Sequence, residues 1–404
     1  MTRAMLPPTT AGRMLMVAFL VDTLGTGLFL AGSVVFFVKH VGLSAGQVAV
    51  GLSVAGLTGF LASVPLCVLA DRFGVRRVQV ALHLWRATGF VLYIFCANFA
   101  SFLLIACMIG VGDRTSPTLN QALVSMAVPA ETRVRTMGQL RAAKNLSFTV
   151  GGLLAALLLA VGSPSAYKAL VLTNAASFVA VAVIVGRLPL PPGTRLPRLA
   201  AGWRLPSLRD RRYLGLAAAN GALCLHSSLL MVGIPLFVLQ RTSAPPSLVA
   251  LLFVVNTALV VLGQVRTGRV VERAGAVRAF RAAGAVLALT CLMLVSAGLA
   301  GAGPAIAVLL LATGVLTLGE MLQSAVSWDV SFALAPAARQ AEYLAVFNLG
   351  TTLESVVGPA LIPALVLRAG LAGVPALAAV FLGGGLVGAH LASTSTTEAI
   401  GVTK

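Results

Sequence analysis

A short turn that combines an acidic residue, an arginine and a glycine occurs twice in this chain, each time between two long apolar runs. The first copy is Asp71–Gly74 and the second is Glu272–Gly275. The two acids lie 201 positions apart (272 − 71) in a chain of 404 residues. Because the same turn recurs at half the length of the chain, we expect the chain to fold as two related halves.

The composition requires a lipid environment. Hydrophobic residues make up 58% of the chain, charged residues only 10%, and the mean hydropathy is +0.98. Soluble domains contain about 25% charged residues. A helix needs about 20 apolar residues to cross a bilayer, and the apolar runs of this chain lack the strict alternation of barrel strands. The sequence therefore predicts membrane-spanning helices.

Twelve apolar runs are separated by charged breaks or by breaks that contain proline or glycine. The first run follows Arg3 and Arg13, but it is longer than the core of a signal peptide and no clear cleavage site ends it. We interpret it as a retained helix. The runs cover residues 14–38, 47–70, 78–98, 101–127, 137–161, 167–187, 213–239, 247–271, 278–299, 304–330, 341–367 and 372–393.

The middle of the chain is rich in proline and arginine, which excludes a spanning helix there. We predict an all-α membrane protein of twelve transmembrane helices in two pseudo-symmetric six-helix bundles. The predicted bundles are residues 1–188 and 213–404, and residues 189–212 form a basic cytoplasmic linker. A linker of this composition could bind anionic lipid headgroups, although a plain connector is the simpler interpretation.

The basic residues predict the topology. When both termini are placed in the cytoplasm, nearly all Lys and Arg outside the spans fall on the cytoplasmic side, and Lys39, Lys168, Arg241 and Arg368 are the exceptions. This bias follows the positive-inside rule. It also explains the net charge of +18 without nucleic acid as a partner. We expect a multi-pass protein of the plasma (cell inner) membrane, in contact with lipids and monomeric.

The first turn carries a family resemblance. Residues 67–77 resemble the signature GxLaDRxGRRxxL of the major facilitator superfamily, with Cys67 in place of the first glycine and Val75 in place of a basic residue. The matching positions are Leu69, Ala70, Asp71, Arg72, Gly74, Arg76 and Arg77, and in the second turn Gly268, Glu272, Arg273 and Gly275. In detail the chain is similar to actinobacterial twelve-span drug-efflux-type members, because residues 319–328 resemble their tenth span.

The resemblance implies a central cavity lined by spans 1, 2, 4, 5, 7, 8, 10 and 11. On these spans, polar residues recur at the spacing that places them on one face of a helix. We expect this polar stripe to contact the substrate. The cavity candidates are Arg114, Thr118, Gln121, Lys144, Asn145, Gln323, Ser324, Asn348 and Thr352. The family's antiporter signature in span 5 is degraded, since Gly151 and Gly152 appear without a following proline.

Ionisable residues inside spans indicate function, because an unpaired charge at the bilayer centre costs about 3 kcal/mol on insertion scales. A carboxyl group in a low dielectric gains a proton more readily than in water. We predict proton coupling first at Asp22 and Glu320, and then at Asp113 and Glu354. The alternative is a fixed ion pair, for example with Arg114 or Lys144. Arg86 is expected to extend towards the cytoplasmic interface, and His83 and Trp85 to lie at that interface.

The duplicated turns are expected to act as a conformational latch. The resemblance implies that Asp71 meets a helix N-terminus of the opposite bundle, or an arginine such as Arg77, and thereby holds the cytoplasmic side closed. The residues of this predicted latch are Asp71, Arg72, Gly74, Arg76, Arg77, Glu272 and Arg273.

Together these features predict a secondary active transporter that exports small, drug-like or antibiotic-like organic molecules by alternating access in exchange for protons. The alternatives are uptake of a small nutrient, a membrane-embedded enzyme, which lacks a histidine cluster to support it, and a receptor. The chain contains no GxxxxGK[ST] phosphate loop. No cofactor or metal is expected, since the five cysteines all fall within spans without a CxxC pair.

Overall fold

The computed structural model describes residues 6–161, 164–190, 205–242, 244–368 and 370–401, and these residues are almost entirely helical, with no β-strand among them. Within these ranges, twelve helices are long and apolar enough to cross a membrane. They are α1 (Thr10–Val35), α2 (Ala45–Phe73), α3 (Val75–Leu92), α4 (Phe99–Ala127), α5 (Arg133–Val161), α6 (Pro164–Gly186), α7 (Arg211–Arg241), α8 (Ser247–Ala274), α9 (Ala276–Leu299), α10 (Ala302–Leu334), α11 (Gln340–Pro363) and α12 (Gly370–Gly401).

The predicted all-α architecture is confirmed, and the differences lie at the helix ends. Helix α1 begins before the predicted residue 14, because the side chain of Thr9 accepts a hydrogen bond from the backbone of Gly12 and so caps the helix. Arg13 is therefore inside the helix, and its Nε donates to the carbonyl of Pro7. Helix α12 continues beyond residue 393 to Gly401. Residues 191–204 of the predicted linker lie outside the described residues.

The first compact unit comprises Met1–Trp203 together with Ala335–Ala345. Inside it, α1 packs on α5 and α6, α2 packs on α4, and α3 packs on α4 and α6. An aromatic core fills one end of this unit, where Phe29, Phe37 and Tyr93 contact one another edge-on or stacked. Such ring contacts add to the stabilisation that burial of the rings provides.

The second unit comprises Arg204–Leu334 and Val346–Lys404. Inside it, α8 packs on α10, α9 packs on α10 and α12, and α7 packs on α12. Each of these pairs corresponds to a pair of the first unit shifted by six helices. The two halves of the chain therefore repeat the same internal packing, as the duplicated turn predicts.

Both copies of the duplicated turn depend on a single glycine. Gly74 joins α2 to α3 with φ = 99°, and Gly275 joins α8 to α9 with φ = 80°. A side chain is unfavourable at such positive φ angles, whereas glycine adopts them freely. The sequence uses glycine at both positions because the chain reverses direction there without a longer loop.

Close backbone packing also repeats. A Cβ atom on Gly151 of α5 would collide with the carbonyl oxygen of Leu24 in α1, and one on Gly350 of α11 would collide with the carbonyl oxygen of Ala217 in α7. Small residues allow the backbones of membrane helices to approach each other in this way. The α1–α5 and α7–α11 contacts are thus counterparts in the two units.

Candidate functional site

Arg86 of α3 forms the centre of an ionic cluster in the first unit, in which Arg86 is buried, Asp22 is half-buried and Asp113 is exposed. Its Nε donates to Oδ1 of Asp113 at 2.6 Å, and its Nη1 donates to Oδ1 of Asp22 at 3.4 Å. The guanidinium carbon lies 3.8 Å from the ring centroid of Phe178, a cation–π contact. Arg86 is 6% exposed. The expectation that it extends to the interface is wrong, because two carboxylates, on α1 and α4, bind it inside the bundle.

A chain of buried polar groups continues from Arg86 along α3. Nη1 of Arg86 contacts Nδ1 of His83 at 3.5 Å, and Nε2 of His83 contacts the Gln79 amide at 2.9 Å. Gln79 in turn donates to Oδ1 of Asn120 on α4 at 2.9 Å. The interfacial position expected for His83 is wrong, because its side chain is completely buried and stacks on Phe178. Residues 79, 83 and 86 share one face of α3, which is why they form a single chain.

Helix α5 contributes cations to the same region. The ammonium group of Lys144 lies within electrostatic range of Asp22, Arg86 and Arg141. Its side chain is exposed in this structure, and Asn145 is half-buried. The charged groups around Asp22 are therefore the carboxylate of Asp113 and cations from both α3 and α5.

The other predicted cavity residues of the first unit lie on α4. The side chain of Arg114 packs against the small-residue surface of α2 formed by Gly56 and Gly59. Thr118 and Gln121 are buried farther along the same helix. Asp113 and Arg114 are adjacent in sequence, so their side chains leave the helix about 100° apart. Asp113 therefore points to the neighbouring helix α3, where it pairs with Arg86.

Glu320 of α10 lies in a polar layer of the second unit. Asn256 of α8 donates from Nδ2 to Oε2 of Glu320 at 2.8 Å and to Oγ1 of Thr317 at 3.0 Å. One turn farther along α10, Gln323 donates to Oδ1 of Asn220 on α7 at 2.7 Å. Amide groups thus connect α7, α8 and α10 around the Glu320 carboxylate.

Glu354 of α11 binds an irregular part of α7. This helix is regular over Arg211–Cys224 and Ile234–Arg241, and a wider turn at Leu229–Gly233 interrupts it. The backbone N–H and the hydroxyl of Ser228, just before that turn, both donate to Oε1 of Glu354. Wider turns inside membrane helices are frequent at functional sites.

Three further candidates bond within their own helices. Ser324 donates to the carbonyl of Glu320 at 2.8 Å, and Thr352 donates to the carbonyl of Asn348 at 3.0 Å. Asn348 and Thr352 are half-buried and Ser324 is buried. Hydrogen bonds of this kind, from a Ser or Thr hydroxyl to a carbonyl one turn earlier, are common within helices.

The carboxylate of Asp71 caps a helix. Its Oδ1 accepts from the backbone N–H of Ala341 at 3.0 Å and its Oδ2 from that of Glu342 at 2.8 Å, and both contacts lie within the first unit. These N–H groups belong to the first turn of α11. The first N–H groups of a helix have no hydrogen-bond acceptor within that helix, and they give its N-terminus a partial positive charge. A helix N-terminus, rather than Arg77, is thus the partner of Asp71.

The other residues of the predicted latch occupy different environments. Arg76 donates to the carbonyl of Leu188 at 3.1 Å and so ties the start of α3 to the end of α6. Arg72 is half-buried, whereas Arg77, Glu272 and Arg273 are exposed. The two copies of the turn therefore share their backbone geometry but differ in how their acids are buried.

The twelve helices of the described residues, the repeated packing and the charges inside the helices define a multi-pass membrane protein built from two related halves. The sequence matches the profile of the Major Facilitator Superfamily over residues 14–359. The chain belongs to this family. None of the curated proteins matches it.

Several solved structures share the fold. The chain is similar to a bacterial homologue of the iron transporter ferroportin in its outward-facing state, with a TM-score of 0.78 and 16% identity over 96% of this chain and 100% of that one. It is similar to the transporter FucP in its outward conformation, with a TM-score of 0.74 and 16% identity over 97% of this chain and 99% of that one. It is also similar to the human organic anion transporter MFSD10, with a TM-score of 0.72 and 17% identity over 94% of this chain and 99% of that one. At these identities the likeness shows the fold alone.

The protein is therefore a multi-pass membrane transporter for small molecules and not an enzyme.

Proposed function

We propose that this transporter exports small, drug-like organic molecules in exchange for protons. The observation that carries the proposal is the sharing of Arg86 by two carboxylates, Asp22 and Asp113. When one carboxyl group takes up a proton, the guanidinium keeps the other as its counter-ion. A proton can therefore be bound and released without leaving a buried arginine unpaired, which would cost several kcal/mol.

Glu320 supplies a second group of this kind. Its partner Asn256 carries an amide, which can donate a hydrogen bond to an ionised carboxylate and, with its oxygen turned inward, can accept one from a protonated carboxyl group. The contact can therefore be kept in both protonation states. This supports Glu320 as a coupling residue of the second unit, and Glu354, which accepts two hydrogen bonds from Ser228, is a further candidate.

Alternating access needs a contact that breaks in one state. We infer that the Asp71 cap of α11 is that contact and that it opens during the transport cycle. Two charge-assisted bonds to backbone N–H groups support this role, because they can form and break without moving any other charged side chain. We further propose a monomer in the plasma membrane, in contact with its lipids, with both termini in the cytoplasm, as the distribution of basic residues indicates.

The proposal is tested by a growth-inhibition panel of toxic compounds in a host that lacks its own efflux pumps. Expression of the chain should confer resistance to at least one compound, and a proton uncoupler should remove that resistance. Asp22→Asn should behave like the empty vector. Glu131→Gln changes an exposed acid in the turn before α5 and should behave like the wild type. Increased sensitivity on expression would instead indicate uptake, the runner-up function.

A further inference from the structure

A cavity of about 560 Å³ lies inside the second unit, at the end where α9 begins and α10 ends. The start of α9 lines it with Ala276, Val277, Arg278 and Arg281. The last turns of α10 line it with Asp329, Val330, Ala333 and Leu334. Asp329 lies nine positions after Glu320 on α10 (329 − 320), but neither Glu320 nor any other residue assigned above to the transport site lines the cavity. The transport mechanism does not use it.

Three charged side chains line this α9–α10 cavity. Arg278 and Arg281 are exposed, and Asp329 is half-buried. Among the described residues none of the three forms an ion pair or a side-chain hydrogen bond. Arg278 and Arg281 lie one turn apart on α9, so both guanidinium groups can reach a single anion. The carboxylate of Asp329 is more than 4 Å from either guanidinium group, because no ion pair joins them.

The position of the cavity identifies the kind of ligand. Helix α9 has 24 residues, a length of about 36 Å at 1.5 Å per residue, so its ends lie in the headgroup regions of a bilayer. The neighbouring end of α8 carries Arg266, Arg269 and Arg273, the pattern of a cytoplasmic surface. In addition, the N-terminus of α9 has no side-chain cap, which favours an anion nearby.

We propose that the α9–α10 cavity binds the headgroup of a lipid that carries both a phosphate and a primary amine, as phosphatidylethanolamine does. The phosphate binds Arg278 and Arg281, since guanidinium groups bind phosphate through paired, charge-assisted hydrogen bonds. The ammonium group binds Asp329. A purely anionic headgroup would place no cation on this carboxylate, and a choline headgroup has no N–H to donate to it.

The test measures binding and not transport, so its outcome is independent of the proposed function. The purified full-length protein is placed in phosphatidylcholine nanodiscs that contain either phosphatidylethanolamine or phosphatidylglycerol at equal mole fraction. The lipids that remain bound after release into detergent are counted by native mass spectrometry. The wild type should retain phosphatidylethanolamine in preference to the other two. If phosphatidylglycerol is retained as well as phosphatidylethanolamine, the proposal is wrong. This comparison uses only the wild-type protein, so it does not depend on whether a variant folds.

The variants separate the two charges. Arg278→Gln with Arg281→Gln should lower retention of phosphatidylethanolamine by about tenfold or more, because two charged hydrogen bonds are lost. Asp329→Asn should keep lipid binding but remove the preference for the amine. The matched control is Arg266→Gln with Arg269→Gln, which has the same spacing on α8 outside the cavity and should leave retention unchanged. Equal losses in both double variants would contradict a specific site.

A final arm distinguishes a lipid from a soluble ligand of the same chemistry. Free phosphoethanolamine is added to the delipidated protein, and the thermal unfolding midpoint is compared with that in the presence of the lipid. The lipid should raise the midpoint and the free headgroup should not. If the free headgroup stabilises the protein as much as the lipid does, the cavity binds a soluble molecule and the lipid proposal is wrong.

Discussion

At the scale of single residues, the ionic cluster around the buried Arg86 explains how a lipid-embedded helix bundle accommodates charge. Arg86, Asp22 and Asp113 come from three different helices. A buried ion pair contributes little net stability compared with apolar packing, but removing one of its partners is costly. The cluster therefore constrains which protonation changes the protein tolerates, and this constraint is the basis of the proposed coupling.

Replacement of Arg86 by methionine should destabilise the protein by about 3 kcal/mol, because Asp22 and Asp113 lose their common counter-ion. The change is measured as a lower midpoint of thermal unfolding in detergent. Lys168→Met removes an exposed cation of α6 and should leave the midpoint nearly unchanged. If Arg86→Met unfolds at the wild-type temperature, Arg86 is not the counter-ion that the structure indicates.

Neutralisation of Asp22 or Glu320 should abolish proton-driven transport while the protein still reaches the membrane. Asp22→Asn and Glu320→Gln keep the size and hydrogen-bonding capacity of the side chains but can no longer exchange a proton. Transport is measured in proteoliposomes with an imposed pH gradient. Normal gradient-driven transport by both variants would exclude these two acids as coupling residues.

The sequence points to the candidate acids but not to all of their partners. Asp22, Asp113, Glu320 and Glu354 are recognisable because charged residues are rare inside apolar runs. From the sequence Arg86 is expected at the interface, since its distance from a helix end does not reveal which carboxylates face it. The spacing of Gln79, His83 and Arg86 on one face of α3 was the signal that could have revealed the cluster.

At the scale of the helices, glycine determines how closely the backbones pack. Gly151 lies against the backbone of Leu24, whereas its neighbour Gly152 faces open space. The same substitution, glycine to alanine, is therefore expected to affect stability differently at these two adjacent positions, so the two variants form a matched pair.

Gly151→Ala should destabilise the protein by about 2 kcal/mol, because its methyl group would force α1 and α5 apart. Gly152→Ala should be neutral or slightly stabilising, since alanine favours the helix. Both are compared by thermal unfolding. Equal midpoints for the two variants would contradict the close α1–α5 contact.

Hydropathy predicts the existence of all twelve helices, because length and apolar composition are what a bilayer requires. It does not predict their ends or their interruptions. Thr9 caps α1 before the first apolar residues, and Leu229–Gly233 forms a wide turn within an uninterrupted apolar run. Both features depend on local hydrogen bonds, which hydropathy averaged over a window of residues does not reflect.

At the scale of the whole molecule, the duplicated sequence corresponds to duplicated internal packing. The turns at Gly74 and Gly275 have the same backbone conformation, and equivalent helix pairs pack in each unit. The duplication was predictable because a turn that requires glycine leaves a recognisable trace in the sequence. The resemblance predicts a helix N-terminus as one possible partner of Asp71, but it does not identify α11, since the opening residues of α11 carry no distinctive motif.

Asp71→Asn should lower turnover by about fivefold, the equivalent of roughly 1 kcal/mol for a weakened helix cap. Expression and membrane insertion should persist, because the turn itself depends on Gly74. Arg77→Gln, an exposed position in the same turn, serves as the control. Wild-type turnover in Asp71→Asn would count against the latch.

The central claim, that this chain moves small molecules against protons, is tested most directly by proton flux in proteoliposomes. Purified protein is reconstituted with a pH-sensitive dye in the lumen, and a compound to which the chain confers resistance is added outside. The account predicts a compound-dependent movement of protons in the direction opposite to the compound, present in the wild type and absent in the Asp22→Asn, Glu320→Gln double variant. Movement of the compound without any change in luminal pH, or an unchanged signal in the double variant, would contradict it.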